Sequence, residues 1–163
     1  MTPEEFENLL IAELELQELP VSAYPADPKK YFPVHDPGEV LVRYEGRKPL
    51  ERDLAGQHSK VKFFAEIVVV TRQVRDTDGA YDWLQKIHDT LEGCTLDGMT
   101  GHLTLDVESF MDEKDGRWQF GQKWSVETDV FQEWNDDYLN ENMIPEPEEP
   151  EPEPEPEPEE PEP

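Results

Sequence analysis

Cysteine is all but missing: Cys94 stands alone in 163 residues, which excludes an intrachain disulfide and fits a protein made and used in a reducing cytosol. Basic residues are scarce, with 14 Lys and Arg against 40 Asp and Glu and a formal net charge of −26. Binding by phosphate neutralisation needs clustered Lys and Arg, so neither a nucleic acid nor an anionic membrane surface is an expected partner. Long hydrophobic runs are also missing. The longest, Phe63 to Val70, is broken by Glu66 and falls far short of the roughly 20 apolar residues of a membrane span. No basic-apolar-small pattern at the start reads as a signal peptide, so the protein is expected to stay where it is made.

The signatures of catalysis are lacking too. There is no glycine-rich phosphate loop, nucleophile elbow or Cys-x-x-Cys pair, and His35, His58, His88 and His102 fall in different segments without ligand spacing. His102, Asp106 and Glu108 would share one face of a strand, but alternation alone predicts such a solvated polar face without a metal. Asp112 to Gly116 lacks the ligand spacing of a calcium loop and reads as a hairpin tip. Cys94 has no histidine near it in sequence and reads as a small buried residue rather than a nucleophile. No catalytic residue, cofactor or metal is expected.

What is abundant is acid and, locally, proline. Residues 145–163 contain only Glu and Pro, ten of the acids among them, and without an apolar group they are expected to form a disordered, extended tail about 59 Å long at ~3.1 Å per residue. Residues 1–132 read as one α+β domain, and 133–144 as an acidic aromatic extension. There Phe131, Trp134, Tyr138 and Leu139 fall at helical spacing, either as a terminal helix packed on its own domain or as a docking segment for a neighbour. Without the tail, 14 basic residues still face 30 acidic ones, a net −16. Such a field would repel DNA from a surface it must pass, or imitate DNA toward a basic partner.

Thr2-Pro3-Glu4-Glu5 supplies an N-cap, a proline at the first helical position and a capping-box glutamate. The helix it opens carries Phe6, Leu9, Leu10 and Leu14 on one stripe and stops at Leu19-Pro20. Val21 to Tyr24 reads as a short extended piece, Glu39 to Tyr44 as a strand ended by Gly46, and Lys48 to His58 as polar turns. Lys60 to Val74 is apolar on both faces and is expected to be a central strand. Asp76-Thr77-Asp78 offers N-cap chemistry for a second helix with Ala80, Trp83, Leu84, Ile87 and Leu91 inward and Gly93 as its stop. Leu103 to Ser109 and Arg117 to Val130 form a hairpin around a loop at Asp112 to Gly116. The expected fold is α+β, with a mixed or antiparallel sheet of four to five strands, two helices on one face and a long projecting hairpin. Fifteen extended residues span about 50 Å, more than the ~37 Å diameter of a globule of this size. The long strands must therefore be bulged or project toward another subunit.

The order of these pieces carries a resemblance. A capped N-terminal helix, Ala23-Tyr24-Pro25, the strand Val40-Leu41-Val42-Arg43-Tyr44-Glu45-Gly46, a long strand ending Val-Val-Val-Thr71-Arg72, Gly79-Ala80-Tyr81 opening a helix that ends Leu91-Glu92-Gly93, and a Trp/Phe hairpin follow in turn. Over residues 1–132 the chain resembles the tail terminator (tail completion) family of Mu-like phages with contractile tails. The resemblance implies a homo-oligomeric, hexameric ring on the head-proximal end of the tail. The ring would stop growth of the tail tube and sheath proteins and face the head-tail connector protein, with DNA passing through unbound. It implies no catalytic residues. Candidate interface residues are Arg43, Tyr44 and Arg72 in the matching strings and the aromatics Trp118, Phe131, Trp134 and Tyr138. The competing readings are an acidic DNA mimic and another neck or tail adaptor of the same particle.

Overall fold

The computed structural model describes residues 1–27, 31, 36–52 and 58–131. Trp134, Tyr138 and the Glu/Pro run lie outside the described residues. Within the unit Met1–Gln132 the order is α1 (Pro3–Glu15), β1 (Val21–Ala23), β2 (Gly38–Arg52), β3 (His58–Thr71), α2 (Ala80–Leu91), β4 (Leu103–Lys114) and β5 (Arg117–Phe131).

The capping box forms as the sequence dictates: Glu5 N donates to Thr2 Oγ1 at 3.2 Å and Thr2 N donates to Glu5 Oε2 at 2.6 Å. These bonds satisfy donors that the first turn leaves unpaired. They also aim Phe6, Leu10 and Leu14, each fully buried, at the sheet.

The five strands form one mixed sheet in the order β1-β2-β3-β5-β4, with β1 parallel to β2 and all other pairs antiparallel. β3 is central, as its two apolar faces require. Phe63, Ala65, Ile67 and Val69 point to the side covered by both helices, where they join Phe6, Leu10, Val40, Val42, Trp83, Ile87 and Trp124 in the main core. On the other side Val68 and Val70 meet Leu41 beneath Tyr24 and Tyr31. Burial there is thinner because no helix covers it.

Three expectations are corrected. Gly46 does not end β2: it takes φ +144 at a register shift between Tyr44 and Gly46, and the strand continues to Arg52 past a second irregularity at Pro49/Glu51. A glycine in a strand marks a bulge as readily as a stop. The second helix is capped not by the Asp76–Asp78 side chains but at Gly79, with no side-chain cap bond; instead the carbonyls of Gln73 and Val74 accept from Ala80 and Tyr81 N–H. Gly79 is required there because an added Cβ would sit 2.8 Å from the Asp76 carbonyl oxygen. The hairpin loop shrinks from five residues to Asp115-Gly116, both left-handed at φ 54 and 72, so pairing runs out to Lys114↔Arg117. Two positive φ values in succession give the turn whose twist matches the flanking strands.

Strand length is resolved by bulges and by projection together. β4 carries two register shifts, Leu105/Val107 and Phe110/Asp112, and beyond Leu105 all its residues are exposed.

Candidate functional site

Where the helices stop covering the sheet, the hairpin of β4 and β5 exposes an aromatic patch. Phe110 and Phe120 are cross-strand partners with ring centroids 5.5 Å apart, Trp118 lies 6.0 Å from Phe110, and Tyr81 at the start of α2 meets Phe120 edge-on at 5.8 Å. Phe120 is the buried member; Phe110 is 54% exposed, Tyr81 51% and Trp118 38%. Such rings anchor a protein partner well, because each removes a large apolar area from water at little entropic cost. Val107 and Met111 of the same strand are exposed too, but on its opposite face, where Met111 lies over Gly121 beside Glu66.

Beneath this patch sits a polar anchor. Gln122, fully buried, donates from Nε2 to the Leu84 carbonyl at 3.1 Å and to Glu108 Oε2 at 2.7 Å, and its Oε1 accepts from Trp124 Nε1 at 3.3 Å. One amide thus ties β5 to α2 and β4 and fixes the slope of the hairpin against the helix. Glu108 is thereby held in the fold, and His102 shares a 2.7 Å hydrogen bond with Thr95. Among the described residues no group of three His, Cys, Asp or Glu is placed to hold a metal ion.

The face away from the helices carries charge. Arg43 Nη2 lies 2.5 Å from Glu66 Oε2 and its guanidinium sits over the Tyr24 ring at 5.3 Å. Lys123 Nζ donates to Glu45 at 3.1 Å, and Glu45 is also 3.4 Å from Arg43. Glu39, buried, accepts from Ser22 Oγ at 2.8 Å and Tyr31 Oη at 2.7 Å. Burial, with the bond to Glu39 behind it, pushes the Tyr31 phenol far above its ordinary range. Burial also pushes the Cys94 thiol up, aided by Glu13, so it stays a thiol at neutral pH.

Of the described candidate interface residues, Trp118 alone joins the aromatic patch. Arg43 is engaged with Glu66. Tyr44 is half-buried against Phe6 and Phe63, and its N–H donates to Glu7 at 2.6 Å. Arg72, exposed, pairs loosely with Asp36 at 3.6 Å. Phe131 is 70% exposed at the other end of β5, stacked 5.0 Å from His58. The His58 bond to Asp129, 2.7 Å long, is the main cause holding that carboxyl below its usual range, with Thr100 second. Sequence pattern does not single out Phe110 or Gln122. Strict alternation would put Phe110, five residues on, on the face opposite Leu105, and it is the bulge at Leu105/Val107 that brings it to the same face; a lone Gln in an apolar alternation gives no sign of its partners.

A search of curated proteins finds no match to the sequence. Among solved structures, a chain of the "Virion of native gene transfer agent (GTA) particle" is similar with TM-score 0.52 and 11% identity over 76% of this chain and 94% of that one, a likeness of fold. The model of the Gp37 protein family matches residues 11–141, most of the sequence and the whole of the sheet just described, and the chain belongs to that family.

Proposed function

We propose that the protein is a structural subunit of a phage-like virion. More specifically, it acts as a tail terminator whose ring caps the head-proximal end of the tail tube and sheath and joins the tail to the head connector. The observation that carries this reading is the exposed aromatic patch of Phe110, Trp118 and Tyr81 on a protein whose fold resembles that of a virion chain. A chain that leaves several large apolar residues clustered in water is built to have them covered by protein. The net −16 of residues 1–144 suits a ring that DNA must pass without sticking. A DNA mimic would need the charge but not the aromatic patch, which favours the structural role over that alternative.

The test is the particle itself. Loss of the protein is expected to give tails of uncontrolled length that fail to join heads, and an image of the intact particle is expected to show it once per ring position at the tail–head junction. Density at the baseplate, or tails of normal length without it, would refute the assignment. Truncation after Met143 is expected to leave tail termination intact while lowering the solubility of free subunits, because ten carboxylates per chain are lost. A folded, soluble truncation that cannot join tail to head would instead make the Glu/Pro run a docking element.

A further inference from the structure

The aromatic patch is one end of a longer groove. Tyr81, Leu84, Gln85 and His88 of α2 form one wall and Leu105 and Glu108 of β4 the other, around a space of about 390 Å³. Beyond Tyr81 the groove opens onto Phe110 and Trp118 through their contacts with Phe120. Its carboxylates set it apart from the rest of the surface. Glu108 accepts from Gln122 at 2.7 Å, and Glu113, the cross-strand partner of Trp118, accepts from Gly116 N at 2.9 Å. Neither has an ion pair among the described residues. Asp89, at the other end, accepts from Gln85 at 2.7 Å and meets His88 at 3.2 Å.

Elsewhere the chain matches acids with its own cations. On the opposite face of the sheet Glu45 meets Lys123, Glu66 meets Arg43, and Glu127 lies 3.8 Å from Lys60. On α2 itself Asp82 and Lys86, which do not line the groove, pair at 2.8 Å. The carboxylates of Glu108 and Glu113 are left unmatched beside the exposed rings. A partner that covers those rings also strips water from these two carboxylates, and a desolvated carboxylate without a counter-charge is strongly unfavourable. The occupant therefore has to bring cations as well as apolar side chains.

We infer that the groove holds a segment of a different protein, with apolar side chains against Tyr81, Phe110 and Trp118 and lysines or arginines against Glu108 and Glu113. This rests on the structural role proposed above and names the chemistry of one neighbour in the particle. A second copy of this chain fits poorly. It brings a net −16 over residues 1–144, and its Arg43, Lys60, Lys86 and Lys123 are committed to its own acids. The segment lies across the face rather than adding a strand, because register shifts at Leu105/Val107 and Phe110/Asp112 interrupt β4, the outermost strand on that side.

The test uses the full chain in assembled particles. With the photoreactive residue p-benzoylphenylalanine in place of Tyr81 or of Phe110, both positions are expected to cross-link to one segment of another virion protein in which Lys or Arg stands among apolar residues. Zero-length carbodiimide coupling of unaltered particles needs no substitution, so it decides the matter if those variants fail to fold or assemble. It is expected to join Glu108 or Glu113 to a lysine of another virion protein. A synthetic peptide of the cross-linked segment should then bind the free chain about tenfold or more weakly after Glu113→Lys, and less than about twofold more weakly after Glu15→Lys, which changes the net charge equally on α1. Cross-links confined to this chain's own sequence or to a segment without cations, or no cross-link at all, would overturn the inference and leave the terminator reading to the particle image. Equal weakening by the two lysine substitutions would overturn the local pairing. Cross-links to a cation-bearing segment of a baseplate protein would support the groove's chemistry and overturn the terminator reading.

Discussion

Ile67→Asp is expected to abolish cooperative folding at neutral pH. Ile67 is fully buried at the middle of β3, between Val42 of β2 and Gln122 of β5, on the side covered by both helices. Removing its apolar volume costs about 2–5 kcal/mol, as other large-to-small core changes do, and an unpaired carboxylate there costs several more. Total stability of a domain is only about 5–15 kcal/mol, so the sum consumes most or all of it. The sign with pH follows from burial. A desolvated carboxyl has a folded pKa raised above its unfolded value near 4, so the charge penalty is absent below that value and grows as pH rises through the folded pKa. The variant should therefore regain part of its deficit toward acid, relative to the wild type under the same conditions. Ile67→Val, which keeps the surface apolar, should cost only about 1 kcal/mol. Thermal melts followed by circular dichroism check all three statements, and a soluble Ile67→Asp protein melting near the wild-type midpoint would refute the central place of β3.

That strand was legible because burial on both faces writes itself as consecutive apolar residues, and the first helix because its cap is local chemistry within four residues. The ends of elements were less legible. Gly46 and Gly79 each do something a glycine can do in more than one way, and the choice is made by neighbours far along the chain: the register of β3 in one case, the carbonyls of Gln73 and Val74 in the other. The Asp112 to Gly116 stretch looked like loop because it is polar, yet pairing to Lys114 is held by the two-residue turn beyond it.

The candidate site was legible only in Trp118, whose place beside a hairpin tip marks an exposed aromatic. The other exposed rings, Phe110 and Tyr81, come from β4 and α2, and only the closed sheet brings each within 6 Å of Phe120. Gln122 is tied to Leu84 and Glu108, 38 and 14 residues away, and no local pattern encodes those distances.

Arg43→Ala is expected to destabilise the fold by about 3 kcal/mol even though nothing apolar leaves the core. Glu66 is 6% exposed in its side chain and, among the described residues, reaches a counter-charge only in Arg43, whose side chain is 42% exposed. Met111 and Glu66 both crowd the space that Gly121 leaves without a side chain, so water has little room to replace a lost guanidinium. Breaking a buried pair by removing one partner costs about 3–5 kcal/mol. The lower end applies because Arg43 is partly solvated and its attraction is screened accordingly. Loss of the contact with the Tyr24 ring adds about 0.5 kcal/mol. If desolvation of Glu66 dominates, removing both charges should restore most of the loss: Arg43→Met/Glu66→Leu is expected within about 1 kcal/mol of the wild type, with Glu66→Leu alone intermediate, since Arg43 can turn to Glu45 at 3.4 Å. Denaturant unfolding of the four proteins measures these differences. Equal stability of Arg43→Ala and wild type would mean that Glu66 is not held by Arg43, and would return Arg43 to the set of residues free to contact a neighbouring subunit.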